Sequence, residues 1–213
     1  MRVWKMIACS VLSVSSFVAT AQMGSNGAKA PAAESTASPA TAYDAQLNII
    51  QLEMMGLVEA MPAQKFGFAP HASIFVPGQT TQFATVRTFA QQATHVAQVN
   101  YLLYGIVSGL KPDVDTEAIG KLTKKQDVVA ALAASFAFAH KAVATLTLAN
   151  AFQVVKSPQP GIETRATTAG FGVAHAFDHY GQMVEYLRMN GILPSAGRKS
   201  FQPFPASTRP SER

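Results

Sequence analysis

The sequence predicts an all-α protein, a four-helix up-and-down bundle. Three observations carry that expectation. Four stretches of about 18 to 28 residues repeat apolar side chains at steps of three and four, the pattern of a helix with one buried stripe. No stretch alternates with the period of two that a half-buried strand requires. Proline and glycine fall between the four stretches, where they stop helices. At 213 residues, 48% hydrophobic and 14% charged, the chain has the apolar side chains for one domain with a real core.

The chain opens on a pattern that reads as a secretory leader, residues 1–21. Arg2 and Lys5 supply a basic start, Met6 to Val18 is largely apolar, and Ala19-Thr20-Ala21 is a small-residue cleavage site. The apolar run is short for a membrane span. The expected mature chain begins at Gln22, is exported to the periplasm or the medium, and keeps no membrane anchor. Cys9, the one cysteine, lies inside this leader. The mature chain therefore has no disulfide, no thiolate nucleophile and no cysteine-bound metal. Residues 22–40 are Ala, Ser, Pro and Gly with almost nothing to bury, and are expected to be a disordered linker.

The bundle is expected over residues 41–197. Helix one starts near Thr41, where Thr41 and Asp44 resemble a capping box. Its stripe is Leu47, Ile50, Met54, Leu57 and Met61, and Pro62 ends it. A loop with Pro70, His71, Pro77 and Gly78 follows. Helix two is expected from about Thr81 to Ser108, closed by Gly109 and Pro112, with Thr88, Gln91, Gln92, His95, Val99, Leu102 and Ile106 on its inward face. Helix three opens at a capping box, Thr123 to Gln126, and buries Val128, Val129, Leu132, Phe136, Ala139, Val143 and Leu146, with His140 at the stripe's edge. Pro158, Pro160 and Gly161 mark the next connection. Helix four is expected from about Thr167 to Asn190, with a left-handed cap at Asn190-Gly191 and Pro194 beyond. Phe171, His175, His179, Met183, Tyr186 and Asn190 share one of its faces. Residues 198–213 read as a disordered tail.

Chemistry has few places to reside. Lys plus Arg number 17 against 12 for Asp plus Glu, a net charge of +5. The basic residues are scattered, and the densest group, Lys121, Lys124 and Lys125, sits at a helix entry, so the excess reads as a solvated surface and nucleic acid is excluded as a partner. His175 and His179 are four apart, which on a helix places both imidazoles on one face, one turn from each other. If helices two and four run the same way, His95 reaches the same level. Three neutral imidazoles can hold an ion and leave positions open, the pattern of a catalytic rather than a closed structural site. His71 and His140 are expected to be bystanders, and Arg188 with Glu185 to be a surface ion pair.

At this point the chain resembles the DinB-like superfamily. The resemblance rests on His95 in Gln92-Ala-Thr-His95-Val-Ala, on His175-x-x-Asp178-His179-Tyr180-Gly181-Gln182, and on Tyr186-Leu187-Arg188-x-Asn190-Gly191-Ile192-x-Pro194. It implies a four-helix bundle with a three-histidine divalent metal site, whose ligands here would be His95, His175 and His179. Similar secreted members carry Glu where this chain has Asp178, a shorter carboxylate. The family's implied activities are thiol-dependent S-transfer and hydrolysis. Low-molecular-weight thiols are cytosolic, so an exported chain is expected to use metal-activated water instead. The expected metal is zinc, with nickel, manganese or iron admitted by the same ligands. Asp178 and Tyr180 are the candidate proton-handling or ligand-supporting groups. The expected partner is a small-molecule substrate, with a homodimer as the candidate assembly. The competing readings are a metal-dependent thiol S-transferase and an exported bundle that binds a metal or small ligand without catalysis.

Overall fold

The computed structural model describes residues 37–194. The leader, most of the linker and the tail expected from the sequence lie outside the described residues. Within them are five helices: α1 (Pro39–Ala60), α2 (Phe89–Ser108), the single turn α3 (Thr116–Ile119), α4 (Lys125–Val143) and α5 (Arg165–Met189). Among the described residues β-structure is confined to one isolated bridge, Val154 to Thr164. The all-α bundle expected from the periodicity is the observed fold.

The four long helices enclose one core, filled from α1 by Leu47, Ile50, Met54 and Leu57, from α4 by Leu132, Phe136 and Val143, and from α5 by Val173, Met183 and Leu187. α1 packs on α4 and α5, and α2 packs on the same two, so α1 lies diagonal to α2. Hydrogen bonds at the helix ends give the directions. Tyr186, late in α5, donates to the Arg87 carbonyl just before α2 (3.0 Å), and Arg165, first in α5, donates to the Val107 carbonyl at the end of α2 (2.5 Å). α2 and α5 are therefore antiparallel, which corrects the expectation that they run the same way. Lys125, first in α4, donates to the carbonyls of Glu59 and Met61 at the end of α1, so α4 is antiparallel to α1. The long connections over residues 61–88 and 144–164 each have the length to cross the bundle, and this is why sequence order does not dictate neighbours.

Helix boundaries differ from the sequence reading where capping chemistry was misplaced. α1 starts at Pro39, because the Ser38 hydroxyl accepts the Thr41 amide and proline suits a first turn. α2 starts at Phe89 rather than near Thr81. Thr88 and Gln91 form a reciprocal capping box there. The preceding loop docks on the same end: the amides of Phe89 and Ala90 donate to the carbonyls of Phe68 and Phe66, and Phe66 meets Phe89 edge to face. With Gln91 N on Thr88 Oγ1 and Gln92 N on the Thr88 carbonyl, all four leading amides of α2 are satisfied within the chain. The box expected at Thr123 does not form, since α4 begins one residue after Lys124 with no side-chain cap. α5 instead gains a box from Thr164 and Thr167.

The inward face of α2 is rotated from the expected one. Phe89, Ala93, Val96, Ala97, Leu103, Tyr104 and Val107 are buried, whereas Leu102 is 53% exposed. Gln92 and His95 stand at the margin of this face toward α5, Gln92 buried and His95 half-buried.

Candidate metal centre

His95 lies in the second turn of α2, and His175 and His179 lie near the middle of α5. Because the helices are antiparallel and pinned at both ends, these positions come level. Nε2 of His175 is 3.3 Å from Nε2 of His95 and 3.1 Å from Nε2 of His179. Candidate ligand atoms of all three residues lie within 4.8 Å of one another. The convergence expected from the sequence is observed, although α2 is shorter than expected and runs antiparallel to α5.

The donor set fits a divalent ion. Two nitrogens bound to a tetrahedral ion at about 2.0–2.1 Å lie about 3.3–3.4 Å apart, close to the separations found here. His179 is fixed in the required tautomer: its Nδ1–H donates to Gln92 Oε1 (2.6 Å), which leaves the Nε2 lone pair facing the cluster. His175 Nδ1 is buried with no hydrogen-bond partner. With a proton on either nitrogen, one polar atom of this ring stays unpaired, a cost of about 1–3 kcal/mol that needs compensation. A cation held through the Nε2 lone pair of His175 would offset it.

The rings are held neutral. Burial pulls His95 down to about 4, with the Arg87 guanidinium and His179 adding to the effect. Burial likewise lowers His175 to about 4, reinforced by His179 and His95 and opposed by Asp178. His179 is lowered by burial, and there the Asp178 charge pushes back. Neutral imidazole is the form that ligates.

Behind His179 runs a relay of amides that the sequence reading did not find. Gln92 Nε2 donates to Gln182 Oε1 (2.9 Å), and Gln182 Nε2 donates to Asp178 Oδ2 (2.8 Å). Every bond points the same way, from imidazole through two amides to a carboxylate. Asp178 thus sits at the exposed end of the relay and bonds none of the three rings directly. The only sequence signal was spacing: Gln92 stands three residues before His95, and Gln182 three after His179.

The remaining candidates lie elsewhere. Tyr180 turns toward α1, where burial and the Glu53 carboxylate raise its phenol, and it is not part of the cluster. His71 pairs with Ser73 in the exposed loop. His140 binds Asp44 (2.5 Å) and Gln51 (2.8 Å) and joins α4 to α1. Arg188 and Glu185 form an exposed pair at 4.0 Å.

A cleft of about 490 Å³ opens beside His95, between the start of α2 and the residues that precede it, with Arg87, Gln91, Thr94 and Gln98 in its wall. Arg87 was not singled out in the sequence.

Three imidazoles converging from two facing helices of a bundle, one of them oriented by a buried amide, form a cluster that could hold a metal ion. The DinB superfamily sequence pattern matches residues 46–183, more than half the chain, and the chain belongs to that superfamily. No curated protein matches it.

Proposed function

We propose that this chain is a metal-dependent enzyme in which His95, His175 and His179 hold one divalent ion, zinc foremost, and that its reaction is a hydrolysis. The observation that supports the reading is the approach of His175 Nε2 to the Nε2 atoms of His95 and His179, at 3.3 and 3.1 Å, with the His179 ring locked as a lone-pair donor by Gln92. When bound, such an ion supplies Lewis-acid polarisation of a substrate oxygen and makes water acidic enough to ionise near neutral pH. The chain's own residues supply the rest. The three histidines are neutral ligands, so they leave the ion's full charge available. Gln92 fixes the ring of His179, and Asp178 polarises the relay from its solvent end as a positioning residue. The cleft beside His95 gives a small molecule access.

Elemental analysis of the purified chain, followed by hydrolysis assays on ester, amide and lactone panels with the metal present and removed, tests this reading. Stoichiometric metal with turnover that follows metal content supports it. Stoichiometric metal with no turnover on any panel favours the non-catalytic binding module. Absence of retained and added metal alike would sink both.

A further inference from the structure

The cleft has one charged side chain in its wall, Arg87, and that group is uncommitted. Arg87 is exposed, and among the described residues no carboxylate lies within ion-pair distance of its guanidinium and no side chain hydrogen-bonds it. Its polar neighbours are engaged in part. Gln91 Oε1 accepts the Thr88 amide, Thr94 Oγ1 donates to the Gln91 carbonyl (3.3 Å), and Gln98 Nε2 donates to the Thr116 carbonyl. Gly120 makes this last arrangement possible, because a Cβ there would lie 2.8 Å from Gln98 Nε2. The leading amides of α2 are also satisfied. Arg87 brings to the cleft the one positively charged side chain in its wall, with five N–H groups that no described side chain engages.

Arg87 is also held in place. Its carbonyl accepts from Tyr186 on α5, the helix of His175 and His179. Two residues earlier, Thr85 has φ 69°, the one non-glycine positive φ among the described residues. A β-branched residue there costs about 1–3 kcal/mol, the kind of strain that gathers at ligand clamps. A divalent ion on three neutral ligands beside a guanidinium forms a strongly positive site.

We propose that Arg87 anchors an oxyanionic group of the substrate, a carboxylate or a phosphate monoester, in the cleft beside His95, so that the site acts on small anionic molecules. The inference deepens the metalloenzyme reading and rests on it for the word substrate, but the anion site itself stands without metal.

The test is binding of benzoate, phenyl phosphate and the neutral isostere benzamide to the full chain, by calorimetry and by NMR shifts of the Arg87 and His95 signals. It is run on the metal-free and the zinc-loaded protein. In the metal-free protein one or both anions bind, and benzamide does not. Which anion binds more tightly assigns carboxylate or phosphate. Arg87→Ala weakens the anion about 10-fold or more, the range of a charge-assisted bidentate pair, and Arg87→Lys falls between. Metal content and helical circular dichroism of both variants match the wild type. Equal anion binding by wild type and Arg87→Ala overturns the proposal, as does benzamide binding as tightly as benzoate, or no anion binding by the wild type. A chain that retains no metal yet binds anions through Arg87 refutes the metalloenzyme and keeps the anion site. A chain that holds metal through its histidines while binding anions independently of Arg87 does the reverse.

Discussion

Gln92 decides what the cluster can do, because it fixes which nitrogen of His179 carries the proton. Replacing it with Leu removes the acceptor of Nδ1–H and cuts the relay to Asp178. Metal affinity is expected to fall about 10–100-fold, measured by chelator competition, with the helical signal retained. The ligands themselves are tested by His95→Ala/His175→Ala. Stoichiometric metal kept by that double variant would contradict the assignment. Proton competition sets a further expectation. An ordinary imidazole near 6.5 would lose metal below that pH, but His95 and His175 remain neutral in the folded chain to about 4. Metal retention by the folded protein should persist well below pH 6.5. The same shifts act on metal-free stability. The unfolded chain takes up protons as pH falls through 6.5, whereas the folded chain does so only near 4. The stability is thus fully present above 6.5 and is lost progressively between about 6.5 and 4, which urea titrations at successive pH values will show.

At the scale of the elements, α5 carries two of the three imidazoles, His175 and His179, and one tight contact that keeps them in register with α2. Gly172 is buried against Tyr104 of α2, and a Cβ at this position would lie 2.7 Å from the Tyr104 hydroxyl. That hydroxyl donates to the Ala169 carbonyl and has no open space to enter. Gly172→Ala should therefore overpack the α2–α5 seam by about 1–3 kcal/mol, against at most about 1 kcal/mol gained in helix propensity. An unchanged urea midpoint would show that the tyrosine yields. Stripes such as Leu47-Ile50-Met54-Leu57 were legible in the sequence because burial imposes period 3.6 on one helix at a time. Direction and adjacency were not, because connections as long as residues 61–88 permit several arrangements. The start of α2 was readable in Thr88-x-x-Gln91, but the apolar residues at 83 and 86 masked it by extending the pattern backward. The pair His175 and His179 was legible from spacing alone. Arg87 was not, since nothing in a lone arginine before a helix says that its carbonyl is tied to a tyrosine 99 residues away.

The whole bundle has a core that does not depend on the cluster, since the buried apolar residues of all four long helices form one continuous body. Metal removal should leave far-ultraviolet circular dichroism intact while lowering the melting temperature, as expected when a ligand binds only the native state. His140 offers the contrasting case. His140→Ala breaks the link from α4 to Asp44 and Gln51 on α1, and should lower the urea midpoint while metal stoichiometry stays unchanged. We further propose that the chain is exported by its leader. Recovery of protein from the periplasm or medium with Gln22 at or within a residue or two of its N-terminus would support this, and an intact Met1 on that protein would refute it.

The two bonds that tie α5 to α2, Tyr186 to the Arg87 carbonyl at one end and Arg165 to the Val107 carbonyl at the other, bracket the three rings between fixed points. Sliding of one helix along the other would break a bond at each end, so the three rings are held together by the fold itself. Ion exchange at the proposed site should then require only rotation of the half-buried His95 and His175 rings, on the timescale of side-chain motion rather than of unfolding. The rate at which zinc enters the metal-free chain should be the same in water and in urea well below the unfolding midpoint. The rate at which it leaves should track chelator access instead of global stability. Cutting one tie, as in Tyr186→Phe, should make both rates sensitive to denaturant.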